Sequence, residues 1–361
     1  MKSLVLHIGI PKTGSSALQV FCAQNRKVLV AQSLDYFEIG EFALGAMGKI
    51  SAGNGAHLAR SFLRPKGTAY KPDREQQLAA LDRQIATSTC DTGFLSSEMF
   101  VFAEDAAFTE FSRWLAARGI ELRFFYFIRE QVEFLSSSYI QQVKRHACTE
   151  TAEEYILRVY QRIGHIKYSK LFDRLAKFAR PEHIVCRNYD EARASAHGVC
   201  EEFVTTFGLD RERLLFGDTN VNVSLDLVET QIMLALNRYK PRMKFSDLLV
   251  ENAARKGRKT VDLSHVLLPS NTLEQLEAYY AADNARFARA YFGKDKLFAP
   301  RHTGNGALKH EPNAEVALND VVEIFGGLLV RLDERLAALE RRGGKPVTTT
   351  ADSQRSSGTS D

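Results

Sequence analysis

Near the start of the chain stands LHIGIPKTGSSALQ, residues 6–19, in which Gly9 and Gly14 keep the spacing of a G-x-x-x-x-G phosphate loop. Thr13, Ser15 and Ser16 supply hydroxyl donors around those glycines, and Pro11 closes the apolar run before them. Backbone N–H groups of such a turn and of the following helix point at one place, and the helix dipole favours an anion there. The chemistry expected is the capture of a phosphate or a sulfate. The lysine of a Walker loop opens the helix and reaches a β,γ-diphosphate, with the next Ser or Thr on magnesium. Here Ser15 follows the second glycine and Lys12 lies inside the loop, close to the strand. This order points to a nucleotide whose second anionic group is not a β,γ-diphosphate.

The stretch HIGIPKTGSSALQ resembles the 5′-phosphosulfate-binding loop of sulfotransferases that use 3′-phosphoadenosine 5′-phosphosulfate (PAPS), particularly the bacterial carbohydrate-type members. In LRFFYFIREQVEFLSSSYIQQVK a strand ends in Arg129, a helix follows, and Ser137 stands eight residues on. That pattern is similar to the family's 3′-phosphate site. A guanidinium gives a permanently charged, bidentate grip on a phosphate monoester, and a hydroxyl from the adjoining helix completes it. HIVCRNYDE, GVCEEFVTTFGLD, NVNVSLDLVETQIMLALNR and LEQLEAYYAADNARFARAYFG look like later blocks of bacterial sulfotransferases, so the likeness spans roughly residues 1–300. ARKGR at 254–258 is similar to the Arg-Lys-Gly of cytosolic members, but its setting differs and it reads as a solvated basic run.

The resemblance implies PAPS as sulfuryl donor, no metal, and a hydroxyl acceptor of the carbohydrate or glycolipid class. It makes Pro11, Lys12, Thr13, Gly14, Ser15, Ser16, Arg129 and Ser137 the donor-binding residues. Transfer to an alcohol needs in-line attack, a base for the hydroxyl proton, and positive charge on the departing phosphate oxygen. Lys12 fits the last task, and Ser136 is expected to hold that lysine until the acceptor arrives. Glu98 is the expected base, because GFLSSEMF puts it just past a strand end, where open α/β sheets bind ligands. His57 is its rival, and Ser97 a weaker candidate to assist. His7 reads as a packed core residue, and His146 and His165 as ordinary helix or surface residues. Two other functions stay open: a P-loop kinase acting on a small molecule, and a nucleotide-binding protein without catalysis.

The elements that must position these residues form a strand, loop and helix at the N-terminus, SLVLHIGI then SALQVFCAQNRKVLV. Further buried strands are expected at 92–97, 122–128 and 183–187, each separated by helix-length segments, which argues for a parallel sheet with helical crossovers. Helices are expected at 73–87 and around 225–239. Residues 37–67 are glycine-rich and without a steady period, and read as an irregular insertion beside the acceptor site. The fold class is α/β, a P-loop-like three-layer arrangement with a central parallel sheet flanked by helices. Residues 1–300 form that domain and 343–361 a disordered tail. Between them, 301–342 form an amphipathic helical extension with Val322, Phe325, Leu329, Leu332, Leu336 and Leu339 along one face. That face packs on the parent domain or pairs two copies of the chain as a homodimer.

Composition sets the outer limits. The chain has 361 residues, 45% hydrophobic and 25% charged, as a globular protein does. A net charge of +4 permits an anionic ligand without the basic footprint of a nucleic-acid binder. Five scattered cysteines without a C-x-x-C pair argue against a disulfide framework or a zinc site and for a reducing compartment. No apolar run approaches the ~20 residues of a membrane span. The expected location is cytoplasmic, with the inner membrane surface as one place of work.

Overall fold

In β4 (Glu121–Ile128), ELRFFYFI, successive side chains enter opposite cores: Phe124, Tyr126 and Ile128 on one face, Phe125 and Phe127 on the other. β1 (Ser3–His7) does the same, with Leu4 and Leu6 opposed to Val5. A strand buried on both faces reads as a continuous apolar run, and this is why these strands stand out in the sequence. With β2 (Leu34–Tyr36), β3 (Thr92–Ser96) and β5 (Ile184–Asn188) they form one sheet in the order β2-β3-β1-β4-β5, every pair parallel. The protein is α/β and P-loop-like: a five-stranded parallel sheet with helices on both faces. The computed structural model describes residues 1–64, 72–217, 225–238, 245–249 and 267–299, with 321, 324–329, 331, 332, 334–336 and 339 of the C-terminal helix. ARKGR at 254–258 and the tail 343–361 lie outside the described residues.

One side of the sheet is covered by α1 (Ser15–Gln24), joined there by Val199, Cys200, Phe203 and Val204 of α11 (Val199–Thr206). The other side packs against α6 (Asp105–Ala116), α7 (Gln131–Arg145) and α9 (Tyr168–Leu175). The helix Ser270–Phe287 packs on α7 and α9, and α12 (Leu227–Arg238) on α7. All five cysteines are free thiols. Among the described residues no helix is long and apolar enough to cross a membrane.

Four expectations change. The helix after the first loop is broken at Asn25, where α2 (Arg26–Val30) begins. The Asn25 side chain donates to the carbonyls of Phe21 and Leu215 and accepts from Leu215 N–H, a clasp across 190 positions of sequence. β2 was hidden by its shortness and by Asp35, which is held by Arg26 at 2.9 Å and by Ser88 at 2.8 Å. The glycine-rich segment contains two short helices, α3 (Phe42–Ala46) and α4 (Ala56–Ser61), too short to show a period. A Cβ on Gly53, at φ +90°, would stand 2.0 Å from the Ser96 carbonyl oxygen, so these glycines let the segment lie directly on the end of β3.

Among the described residues of the C-terminal helix, Ile324, Leu328 and Arg331 are buried, whereas Phe325, Leu329, Leu336 and Leu339 of the expected stripe are exposed and Leu332 is half-buried; Val322 lies outside the described residues. The helix is thus packed through a neighbouring face.

Candidate active site

β1 lies between β3 and β4, and the chain leaves it towards β2 and β3 on one side and β4 and β5 on the other. The carboxyl end of such a strand opens a crevice where open α/β sheets bind ligands. The loop 8–14 occupies that place. Gly14 takes φ +77° as the residue before α1, and Lys12 takes φ +69° although it carries a side chain. A glycine would adopt that conformation freely, whereas a lysine gives up about 1 kcal/mol there. The strain argues that the Lys12 side chain itself is wanted at this spot.

Register brings the second strand to it. His7 pairs with Ser96, so Gly9 and Glu98, each two residues further on, leave the sheet side by side. A Cβ on Gly9 would stand 2.5 Å from Ser15 Oγ, 3.2 Å from Glu98 Cγ and 3.3 Å from His7 Cε1. Only a glycine lets these three groups close over the loop. Glu98 opens a short 3-10 turn, Glu98–Phe102, capped by Ser97, whose hydroxyl accepts from Met99 N–H at 3.2 Å. That cap is the role the structure gives Ser97. α4 packs on this turn and carries the half-buried His57 to the same edge of the sheet.

Glu98 and Lys12 are both half-buried and act on each other. Burial pushes the Glu98 carboxyl above its ordinary range, against the opposing pull of the Lys12 ammonium and the Ser15 hydroxyl. Burial pulls the Lys12 ammonium down; Glu98 opposes this, and the Arg129 and Arg145 guanidiniums add to it. The result is a carboxylate able to take a proton beside a cation able to meet an anion.

Other loop groups divide into those already engaged and those left over. The Thr13 hydroxyl donates to the Ile10 carbonyl at 2.6 Å and closes the loop on itself. Ser16 and Pro11 are half-buried at its rim. Ser136 Oγ is buried without a hydrogen-bond partner; Ser15 Oγ, also buried, lies near the Glu98 carboxyl without a well-formed hydrogen bond, and the first N–H groups of α1 have no acceptor within the helix. Ser136 therefore does not hold Lys12, contrary to expectation: its hydroxyl stays unpaired on the inner face of α7. A buried hydroxyl without a well-formed partner at a helix N-terminus, as Ser15 is at α1, fits a ligand rich in acceptor oxygens.

Arg129 sits one residue beyond β4 with its guanidinium pointed at the loop, donating to the Lys12 carbonyl at 3.0 Å. Its Nε and Nη2 face Glu133 Oε2 at 3.4 and 3.2 Å, and its Cζ lies 5.2 Å from the centre of the Tyr189 ring. Ser137 lies one helical turn past Glu133 on the same side of α7, half-buried. Glu133 and Tyr189 were not singled out in the sequence. The spacing of four from Arg129 to Glu133 was the available signal for the first, and Tyr189 had none.

His7 is fully buried, with Nδ1 2.8 Å from Ser96 Oγ and its ring among Phe94, Phe125 and Phe127. It is the core residue expected. Burial lowers its pKa from 6.5 to about 3. A depressed folded-state value means stability that is present above the unfolded pKa and lost as pH falls towards the folded one. Between pH 7 and pH 5 the unfolded state gains a proton that the folded state refuses, a loss of about 2 kcal/mol from this residue. Urea unfolding of wild type and His7→Gln at both pH values should show the smaller acid loss in the variant; equal losses would assign the buried neutral group elsewhere. His165 behaves similarly, its pKa lowered to about 4 by burial, with Phe102 and Phe134 edge-on to its ring. It is thus a packed residue with a buried, unpartnered Nε2.

Among the described residues no group of three or more His, Cys, Asp or Glu side chains is placed to hold a metal ion. No protein-family model matches the chain, and no curated protein does. Among solved structures it is similar to the crystal structure of a sulfotransferase from Alicyclobacillus acidocaldarius. The likeness is 13% identical, covers 80% of this chain and 96% of that chain, and has a TM-score of 0.46. At that distance the likeness carries no argument about chemistry, which rests on the residues themselves.

Proposed function

We propose that the protein transfers a sulfuryl group from PAPS to a hydroxyl of a carbohydrate or glycolipid acceptor, with residues 1–300 as the catalytic unit. The observation that carries this reading is the placement of Gly9 and Glu98 side by side at the switch point of the sheet, with the Lys12 ammonium close enough to act on the Glu98 carboxyl electrostatically. The order Lys-Thr-Gly-Ser supports it over a kinase, because the lysine reaches the mouth of the loop from inside instead of from the helix start.

In this mechanism the α1 N-terminus and the Ser15 and Ser16 hydroxyls hold the 5′-phosphosulfate, and Arg129 with Ser137 the 3′-phosphate. Glu98 removes the proton as the acceptor oxygen attacks sulfur in line. The new O–S bond forms while the bond from sulfur to the bridging phosphate oxygen breaks, and Lys12 offsets the charge that collects on that oxygen. The products are a sulfate ester, adenosine 3′,5′-bisphosphate and a proton on Glu98. Nothing in this account requires the acceptor to be a particular sugar; the glutamate base and the resemblance favour that class.

Calorimetric titration with adenosine 3′,5′-bisphosphate, adenosine 5′-phosphate and magnesium ATP tests the reading. The bisphosphate is expected to bind most tightly, by about tenfold or more over the 5′-phosphate, from one charge-assisted phosphate contact. Tightest binding of magnesium ATP would replace the reading with a kinase. Bisphosphate binding without any sulfuryl turnover on a broad acceptor panel would favour a binding protein.

A further inference from the structure

β4 ends at Ile128, which pairs with Asn188 at the end of β5. The three residues after it, Arg129, Glu130 and Gln131, turn the chain into α7, and each is held by a different element. The Glu130 N–H donates to Asp190 Oδ2 of α10 (Tyr189–Ala192) at 3.1 Å. Gln131 exchanges side-chain hydrogen bonds with Asn284 of the helix Ser270–Phe287, at 2.6 and 3.0 Å, and donates to the Ile166 carbonyl at 3.2 Å. Arg129 is held by Tyr168, the first residue of α9.

The Tyr168 hydroxyl takes both backbone groups of Arg129 at once. The Arg129 N–H donates to it at 3.2 Å, and it donates in turn to the Arg129 carbonyl. A phenol is donor and acceptor in one atom. It can therefore replace the two ladder bonds that a residue loses where strand pairing stops. The side chain is fully buried, with Phe287 and Phe298 against its ring. Burial pushes the phenol pKa well above its ordinary value, so the donated proton is kept.

What this clasp secures is the direction of the arginine. The guanidinium stands at the far end of a long side chain, so a rotation of about 10° at the backbone displaces it by about 1 Å, more than a bidentate contact tolerates. The Lys12 carbonyl fixes the head of the side chain through Nη1, and Tyr168 fixes its root.

We infer that Tyr168 is a positioning residue for the nucleotide 3′-phosphate, acting through the Arg129 backbone to aim the guanidinium. The inference rests on the sulfotransferase reading above, which assigns Arg129 to that phosphate. Tyr168→Phe removes one oxygen and keeps the ring. It should weaken adenosine 3′,5′-bisphosphate about fivefold, within the range of coupling between neighbouring groups, and leave adenosine 5′-phosphate unchanged.

Tyr291 supplies the control. Its hydroxyl makes the same kind of double contact on β5, where the Cys186 N–H donates to it at 2.7 Å and it donates to the Ile184 carbonyl. Tyr291→Phe should lower the thermal midpoint as Tyr168→Phe does, but keep the wild-type ratio of the two affinities. Calorimetric titration of wild type, both tyrosine variants, Arg129→Ala and the double variant Arg129→Ala/Tyr168→Phe with both nucleotides tests this, with thermal unfolding of each. In the Arg129→Ala background Tyr168→Phe should change neither affinity, because the group it aims is gone. A wild-type ratio in Tyr168→Phe, an equal loss for both nucleotides, the same change of ratio in Tyr291→Phe, or a further loss on Arg129→Ala would overturn the inference while the parent reading stands. So would a Tyr168→Phe chain that does not fold, which would make the hydroxyl a folding element. A wild type that binds the two nucleotides equally would instead remove the parent reading, and the inference with it.

Discussion

Glu98→Gln is expected to lower the rate of sulfuryl transfer by about 10²–10⁴-fold, the usual contribution of a positioned general base, with donor affinity little changed. Glutamine keeps the size and one acceptor oxygen but cannot take the acceptor's proton. The pH profile separates this from a general disturbance. The carboxylate must be ionised to act, so the wild-type rate rises with pH through the Glu98 pKa. Burial lifts that value above the ordinary 4.5, and the acid limb should lie correspondingly high. In Glu98→Gln the limb should vanish along with most of the rate. A variant with normal turnover would remove Glu98 as base and bring forward His57, which α4 holds at the same edge.

Lys12→Met is expected to reduce kcat by about 10²–10³-fold, as loss of a preorganised donor to a developing oxyanion does. Methionine preserves the length and apolar stem and faces the same left-handed backbone, so the change isolates the charge. The wild-type rate should also fall at high pH as Lys12 loses its proton, and at a lower pH than the ordinary lysine value of 10.5 because burial destabilises the ammonium. Together with the acid limb this gives a bell whose two sides belong to a coupled pair. Single-turnover measurement at saturating donor distinguishes the effect on chemistry from any effect on binding; a kcat unchanged with a raised donor KM would make Lys12 a binding residue only.

Several features were legible in sequence for a plain reason. β1, β3 and β4 are apolar on both faces and β5 on one, and such runs announce themselves without neighbours. α5 (Arg74–Thr87) begins at Asp73, whose side chain accepts from Gln76 N–H at 2.8 Å, so its boundary too was written locally. Less visible were elements whose stability comes from elsewhere: β2 with its paired Asp35, the break at Asn25, and the two short helices, one packed on α1 and the other on the turn after β3. In the C-terminal helix a period marks an apolar face but not which neighbouring face meets the domain. Ile324 and Leu328 pack there while Phe325 and Leu329 stay exposed.

The residues of the site divide along the same line. The loop's glycines, hydroxyls and lysine, the arginine at a strand end and the glutamate after another strand are all local facts, readable in order along the chain. Their meeting is not local. Glu98 comes within electrostatic range of Lys12 because β3 pairs with β1 in the register that sets His7 against Ser96. Arg129 reaches the Lys12 carbonyl because β4 pairs on the other side. Residue types and spacing thus fixed which groups could bind an anion and move a proton. The parallel register of three strands decided which of these groups meet, and burial decided that Glu98 and Lys12 are desolvated together, because a charge responds to its neighbours in space and to its distance from water.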